Sequence, residues 1–121
     1  MRIANCTTPA QFFHLLRKQA LSSAKNPLVV FTPKALLRHP RCVSSLEDFS
    51  SGSFSEILDD PMPSSQTEKL IFCSGKIFYE LDEERKKRDR KDMTILRIEQ
   101  LYPFESEKIK TIIRKYGQVK K

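Results

Sequence analysis

An α/β fold built from parallel or mostly parallel sheets with crossover helices follows from three features of this 121-residue sequence. PLVVF (27–31), short and unbroken by charge, has the composition of a strand covered on both faces, and KLIFC (69–73), apolar after Lys69, reads as a second strand. Stretches with helical periodicity alternate with such runs, and the order read along the chain is β-α-β-α-β. Helices of this length between strands are the usual parallel crossovers.

The first helix is signposted at its start. Thr8 is placed to cap it, Pro9 suits its first position and Gln11 completes a capping box. Phe12, Phe13, Leu15, Leu16 and Ala20 form the expected apolar side. The strand PLVVF ends at Thr32-Pro33, and no strand is expected before Thr8 to pair with it. A short helix can form over 34–38 before Pro40 closes it. Ser44 is expected to cap a second short helix, with Glu47 at the box position. FSEIL (54–58) reads as a short strand, and DDPMPSSQTE (59–68) as a linker.

The second unit starts at KLIFC and turns at Ser74-Gly75 into a helix from Lys76 to about Arg88, with Ile77, Phe78 and Leu81 on one side. MTILRIE (93–99) is the next strand and LYPF a turn. Ile109, Ile112 and Ile113 mark a last helix that Gly117 ends. Gln118 and Val119 look like the start of a third strand. Each half therefore reads as part of a sheet whose remainder lies elsewhere, with exposed strand edges as the consequence.

Composition excludes several classes. The hydrophobic fraction of 39% and charged fraction of 31% fit a globular chain, not a disordered one. No apolar run has the length of a membrane helix, and the N-terminus lacks the apolar core of a signal peptide. The net charge of +7 invites a nucleic-acid reading. Its densest segment, ELDEERKKRDRKD (80–92), nevertheless carries six basic and six acidic side chains. Such a balance describes a solvated helix face with pairs such as Glu84–Arg88. Glu80, Asp82, Glu83 and Glu84 are expected to face water, and Asp59 and Asp60 to sit in flexible linker. Cys6, Cys42 and Cys73 show no disulfide or metal spacing and read as unpaired thiols. No nucleic-acid, membrane or metal site is expected.

Four places carry chemistry worth following. Ser74-Gly75-Lys76 sits where a strand feeds a helix, so it is either a tight turn or an anion or interdomain contact at a helix N-terminus. Lys34, Arg38, His39 and Arg41 fall within eight residues and could clamp an anion, with His39 otherwise a loop or interface histidine. His14 reads as a packing residue. Arg97 interrupts an apolar strand, and Glu99, two residues on and on the same face, is its candidate partner. That pair is either a structural ion pair or a contact to a neighbouring domain. It lies near the carboxyl end of the strand, where open parallel sheets bind ligands.

Four blocks, TTPAQFFHLLRKQ, PLVVFTPKALLRHP, KLIFCSGKIFYELDEERKKR and ILRIEQLYPF, together resemble the thiamine-diphosphate-dependent 2-oxoglutarate dehydrogenase E1 family. The resemblance covers essentially the whole chain. It implies that residues 1–33 end a transketolase-like pyrimidine-binding domain, that 34–68 form an interdomain linker with short helices, and that 69–121 open the C-terminal domain. It implies an oxidoreductase whose complete subunit decarboxylates 2-oxoglutarate on thiamine diphosphate and Mg²⁺ in the tricarboxylic acid cycle. The implied partners are the rest of the E1 subunit, the E1 homodimer partner and the lipoyl-bearing E2 that receives the succinyl group. The location would be the cytoplasm, or the mitochondrial matrix in a eukaryote. The family's magnesium motif, activating glutamate and active-site histidines are absent. No catalytic, cofactor-binding or metal residue is carried over, and the segment is expected to be inactive alone. In some relatives the region near PKALLR is linked to adenine-nucleotide or acyl-CoA regulation, which would make Lys34 and Arg38 regulatory anion contacts. The alternative reading is a small α/β regulatory or interaction module that binds a nucleotide or acyl-CoA.

Overall fold

The computed structural model describes residues 1–117. The expected strand at Gln118 and Val119 lies outside the described residues. Two three-stranded sheets form. The first has the order β2-β1-β6, from β1 (Arg2–Ala4), β2 (Leu28–Val30) and β6 (Gln100–Tyr102). The second has the order β3-β5-β4, from β3 (Ile57–Leu58), β4 (Lys69–Cys73) and β5 (Met93–Ile98).

Each sheet is mixed. β1 with β2 and β4 with β5 are parallel, while β1 with β6 and β3 with β5 are antiparallel. The parallel pairs are the expected crossovers, through helix α1 (Pro9–Leu21) and helix α3 (Ile77–Lys87). The run 93–102 passes from the second sheet into the first, where β6 joins β1 antiparallel, while β3 adds antiparallel to β5 within the second. The anticipated turn at LYPF is thus partly a strand. PLVVF does have a partner before Thr8, namely β1, in the register Arg2↔Leu28 to Ala4↔Val30. It is not covered on both faces, because β2 lies at a sheet edge and Val29 and Phe31 are exposed.

Thr8 caps α1 by accepting from the Gln11 amide at 3.2 Å. The other half of the expected box is missing, because the Gln11 side chain turns to Ser55. Its Nε2 donates to Ser55 O at 2.6 Å and its Oε1 accepts from Ser55 N at 3.0 Å. The buried face of α1 is Ala10, Gln11, His14 and Leu15, so Phe12, Phe13 and Leu16 lie exposed. Residues 34–38 form a 3-10 helix. Helix α2 (Leu46–Ser50) is capped by Ser45, with Asp48 completing the box. Ser44 instead accepts from the Ala10 amide at 3.1 Å, which ties α2 to the start of α1. Helix α4 (Ser106–Lys115) completes the described chain and has no buried residue.

Two small cores result. Ala4, Cys6, Leu15 and Phe54 pack with Leu28 and Val30, while Phe78, Tyr79 and Ile95 pack with Leu36, Ile71, Cys73 and Leu81. The face of α3 turned inward carries Asp82 and Arg85 beside Phe78 and Tyr79. Asp82 therefore does not face water as expected. It holds Arg41, Arg85 at 2.6 Å and Lys86 at 2.8 Å. Asp60 is not flexible linker either. It is buried, chelates Arg85 and accepts from the Ile95 amide at 2.7 Å, so residue 60 is pinned against α3 and β5. The predicted Glu84–Arg88 pair is present on the solvent side at 2.6 Å.

Candidate functional site

Polar groups converge where the carboxyl ends of β4 and β5 meet the segment after β1. Alternation along β5 and into Glu99 puts Arg97 and Glu99 on one face. Both are buried, and Glu99 completely so. They meet through Thr7. Arg97 Nη1 donates to Thr7 Oγ1 at 3.0 Å, and that hydroxyl donates to Glu99 Oε1. The Thr7 amide donates to Glu99 Oε2 at 2.9 Å, and Gln11 Nε2 reaches the same oxygen at 3.4 Å. The Thr7 carbonyl accepts from the Tyr79 hydroxyl and from Cys42 Sγ. One threonine thus joins β1, β5, α1, α3 and the loop after the 3-10 helix. The sequence held no signal for it, because its partners lie up to 92 positions away.

Burial sets the electrostatics here. It pushes the Glu99 carboxyl up from its ordinary value despite the opposing Thr7 hydrogen bonds and the Arg97 charge. Burial, reinforced by Glu99, pushes the Cys6 thiol up to about 12. Cys73 rises to about 11 by burial, against the pull of Arg97. Neither thiol is a thiolate at neutral pH, so neither is an activated nucleophile. The Arg97 guanidinium lies 4.2 Å from the Phe78 ring centroid, a cation–π contact at the first turn of α3.

Ser74, Gly75 and Lys76 form the β4–α3 turn. Gly75 is required there by its φ of +69°, and the Asn5 side chain fills the space beside it, with Nδ2 2.4 Å from where a Cβ would lie. The four cations after β2 do not act together. Arg41 is bound to Asp82 and lies over Tyr79. The His39 ring stands 4.5 Å from the Tyr79 ring, and its Nδ1 accepts from the Arg41 amide at 3.2 Å. Lys34 and Arg38 remain exposed. On a 3-10 helix a four-residue step leaves two side chains roughly 120° apart, where an α-helix would bring them together. The shared clamp expected from spacing is therefore divided. Against the 3-10 helix lies a cleft of about 280 Å³ lined by Phe12, Phe31, Pro33, Leu36, Leu37 and Cys42 among others, but not by Lys34 or Arg38. His14 packs as expected, edge-on to Phe13, with Nε2 2.7 Å from the Asp48 carbonyl.

Residues 43–121 match the family model described as 2-oxoglutarate dehydrogenase C-terminal. The 2-oxoglutarate dehydrogenase E1 component of Haemophilus influenzae is 40% identical over 121 residues, which cover 98% of this chain and 13% of that protein. A probable 2-oxoadipate dehydrogenase complex component E1 homolog of Dictyostelium discoideum is 43% identical over 97% of this chain and 13% of its own length. The mitochondrial 2-oxoglutarate dehydrogenase-like protein of Rattus norvegicus is 43% identical over 95% of this chain and 12% of its own. The chain thus spans about an eighth of the length of these relatives.

Proposed function

The chain belongs to the 2-oxoglutarate dehydrogenase C-terminal family, and from that premise we propose that it serves as a structural and interdomain segment of an E1 subunit. The complete subunit would decarboxylate 2-oxoglutarate with thiamine diphosphate and Mg²⁺ and pass the succinyl group to a lipoyl-bearing E2. The division into 1–33, 34–68 and 69–121, with transketolase-like domains on either side of the middle segment, belongs to the same proposal. So does a location in the cytoplasm or, in a eukaryote, the mitochondrial matrix. Among the described residues no helix is long and apolar enough to cross a membrane.

The observation that carries the interdomain role is the placement of apolar side chains. Phe12, Phe13 and Leu16 on α1, Phe31 after β2, and Tyr102 and Phe104 after β5 are all exposed. Exposed large apolar groups in this number suit an internal interface of a larger subunit, which would cover them. The residues present do not fit the cofactor. Among those described, no cluster of three or more histidine, cysteine or carboxylate groups is arranged to hold a metal. The buried carboxylates are already engaged, Asp60 and Asp82 by arginines and Glu99 by Thr7. No chemical step is therefore assigned to this chain.

The direct experiment measures 2-oxoglutarate decarboxylation, and magnesium-dependent thiamine diphosphate binding by titration calorimetry, for the chain and for the complete subunit. Activity and binding are expected in the complete subunit and neither in the chain alone. Saturable cofactor binding with carbon dioxide release by the chain would overturn the reading. A parallel assay with 2-oxoadipate addresses substrate choice, since one relative bears that name.

The apolar cleft against the 3-10 helix that carries Lys34 and Arg38 favours a second reading, a regulatory contact for a nucleotide or acyl-CoA, although neither cation lines it. An apolar wall would take the base or acyl group, and Lys34 or Arg38 a phosphate. Lys34→Ala and Arg38→Ala should each weaken acetyl-CoA or AMP binding to the complete subunit. Unchanged affinity in both would remove the reading.

A further inference from the structure

Three buried polar atoms without a hydrogen-bond partner gather at one end of the β4–α3–β5 unit: Arg97 Nε, Ser74 Oγ and Asn5 Oδ1. Their positions are linked. Arg97 stands opposite Cys73 in the parallel ladder, one residue before Ser74, and its guanidinium covers Phe78 in the first turn of α3. The Asn5 side chain lies against Gly75. Ser74 lies in the turn, Asn5 touches it, and Arg97 stands on the strand beside it.

Arg97 is 9% exposed, so its charge is largely removed from water. Its Nη1 is fixed by Thr7. The edge formed by Nε and Nη2 makes no hydrogen bond among the described residues. That edge is the side-on fork that recognises planar or tetrahedral oxyanions. Arg90 shows the same fork at work here, holding Asp92 at 2.8 and 2.7 Å. Glu99, on the same strand face, is joined to Arg97 through the Thr7 hydroxyl.

The turn supplies matching donors. α3 has eleven residues, and the Phe78 and Tyr79 amides bond back to the Gly75 and Lys76 carbonyls at 3.2 and 3.1 Å. The amides just before them have no helical acceptor. The positive φ of Gly75 bends this stretch into the kind of backbone concavity that binds anions.

We propose that the Ser74–Lys76 turn and Arg97 form a binding site for a small oxyanion, a phosphate or carboxylate group, which enters by displacing the Asn5 side chain. Asn5 is half-buried, and its Oδ1 accepts no hydrogen bond, so swinging it out breaks none at that atom. An anion in its place would meet the arginine fork, the Ser74 hydroxyl and the first-turn amides, while Lys76 adds charge at the rim. The site is independent of the chemistry proposed for the complete subunit.

The test is hydrogen exchange by mass spectrometry on the complete subunit, titrated with inorganic phosphate, with acetate, and with chloride at matched ionic strength. Saturable protection of the peptide spanning 73–80 is expected with phosphate, with acetate or with both, and not with chloride; which of the two protects identifies the oxyanion class. Asn5→Ala should tighten binding about threefold, and Ser74→Ala should weaken it about threefold, as one charge-assisted hydrogen bond is lost. Arg97→Lys keeps the charge but removes the fork and should weaken binding about tenfold. Protection that grows linearly without saturating, or equally in chloride, would overturn the proposal. So would affinities left unchanged by both Asn5→Ala and Ser74→Ala, two variants that keep Arg97 in place and remain informative whether or not Arg97→Lys folds.

Discussion

Truncating one member of a buried ion pair leaves the other charged in a poor solvent, and Asp60 with Arg85 is the most deeply buried such pair among the described residues. Asp60→Ala strands Arg85 with Asp82 alone and also removes the acceptor for the Ile95 amide. Stability should fall by about 3–5 kcal/mol, read from urea melts; a loss under about 1 kcal/mol would show that the pair carries little. Glu99 gives a second expectation, in pH. Its folded-state pKa is raised by burial, so between the unfolded and folded values the folded chain binds more protons. Stability from this group must then decline as pH rises through that window. Glu56 acts with the opposite sign: burial would raise it, but hydrogen bonds from Lys108 and Lys18 hold it at about 2. Its contribution is lost only in acid and cancels when the parent is compared with Glu99→Gln. The stability advantage of the parent over Glu99→Gln should therefore shrink as pH rises above the ordinary glutamate range. An advantage that grows with pH would contradict the assignment. Arg97 and Glu99 were legible in the sequence because charge stands out in an apolar strand. Thr7, Asp60 and Asp82 were not: threonine before a helix looks only like a cap, and an acid in a linker or a charged run looks solvated until its distant partner is known.

At the scale of elements, short pieces are held by side chains more than by their own ladders. α2 has five residues, too few to persist alone. It is fastened by the Ser45 box, by Ser44 on the Ala10 amide, and by His14 against the Asp48 carbonyl. Gly52 lets that last contact form. A Cβ there would lie 2.5 Å from Asp48 O and 2.8 Å from His14 Nε2. Gly52→Ala should therefore push α2 away from α1 and cost about 1–3 kcal/mol, the usual range for overpacking. Urea melts check the energy, and the nuclear magnetic resonance signal of the His14 ring checks the contact. An unchanged ring signal would mean that α2 is not positioned this way. The long elements, α1, α3, β4 and β5, were readable because their patterns repeat over enough residues. β1, β3 and β6 were missed or blurred because two or three residues carry no period, and their pairing is decided by chain that is remote in sequence. The one-residue error at Ser44 has the same origin: two adjacent serines offer identical local chemistry, and only the approach of Ala10 assigns one of them elsewhere.

The molecule as a whole divides its apolar residues between two small cores and a broad exposed surface, and this division governs its behaviour in solution. Complete domains of this size hold only about 5–15 kcal/mol of net stability. Here Leu15, Ile95 and Leu96 are fully buried, while Phe12, Phe13 and Leu16 on the outer side of α1 and Phe31 beyond β2 meet water. Among the described residues β2 and β4 lie at sheet edges, which can pair with other chains. The chain alone should therefore associate with rising concentration and unfold over a broad urea range. Sedimentation velocity across a concentration series measures the first, and urea melts the second. Phe12→Lys with Leu16→Lys separates the causes. These side chains are already exposed, so the double substitution should reduce association while shifting the urea midpoint little. Association that persists would move the cause from the α1 face to the strand edges. A monodisperse parent with a steep cooperative melt would instead mean that the exposed face needs no cover, and the interdomain role proposed for the chain would lose its main support.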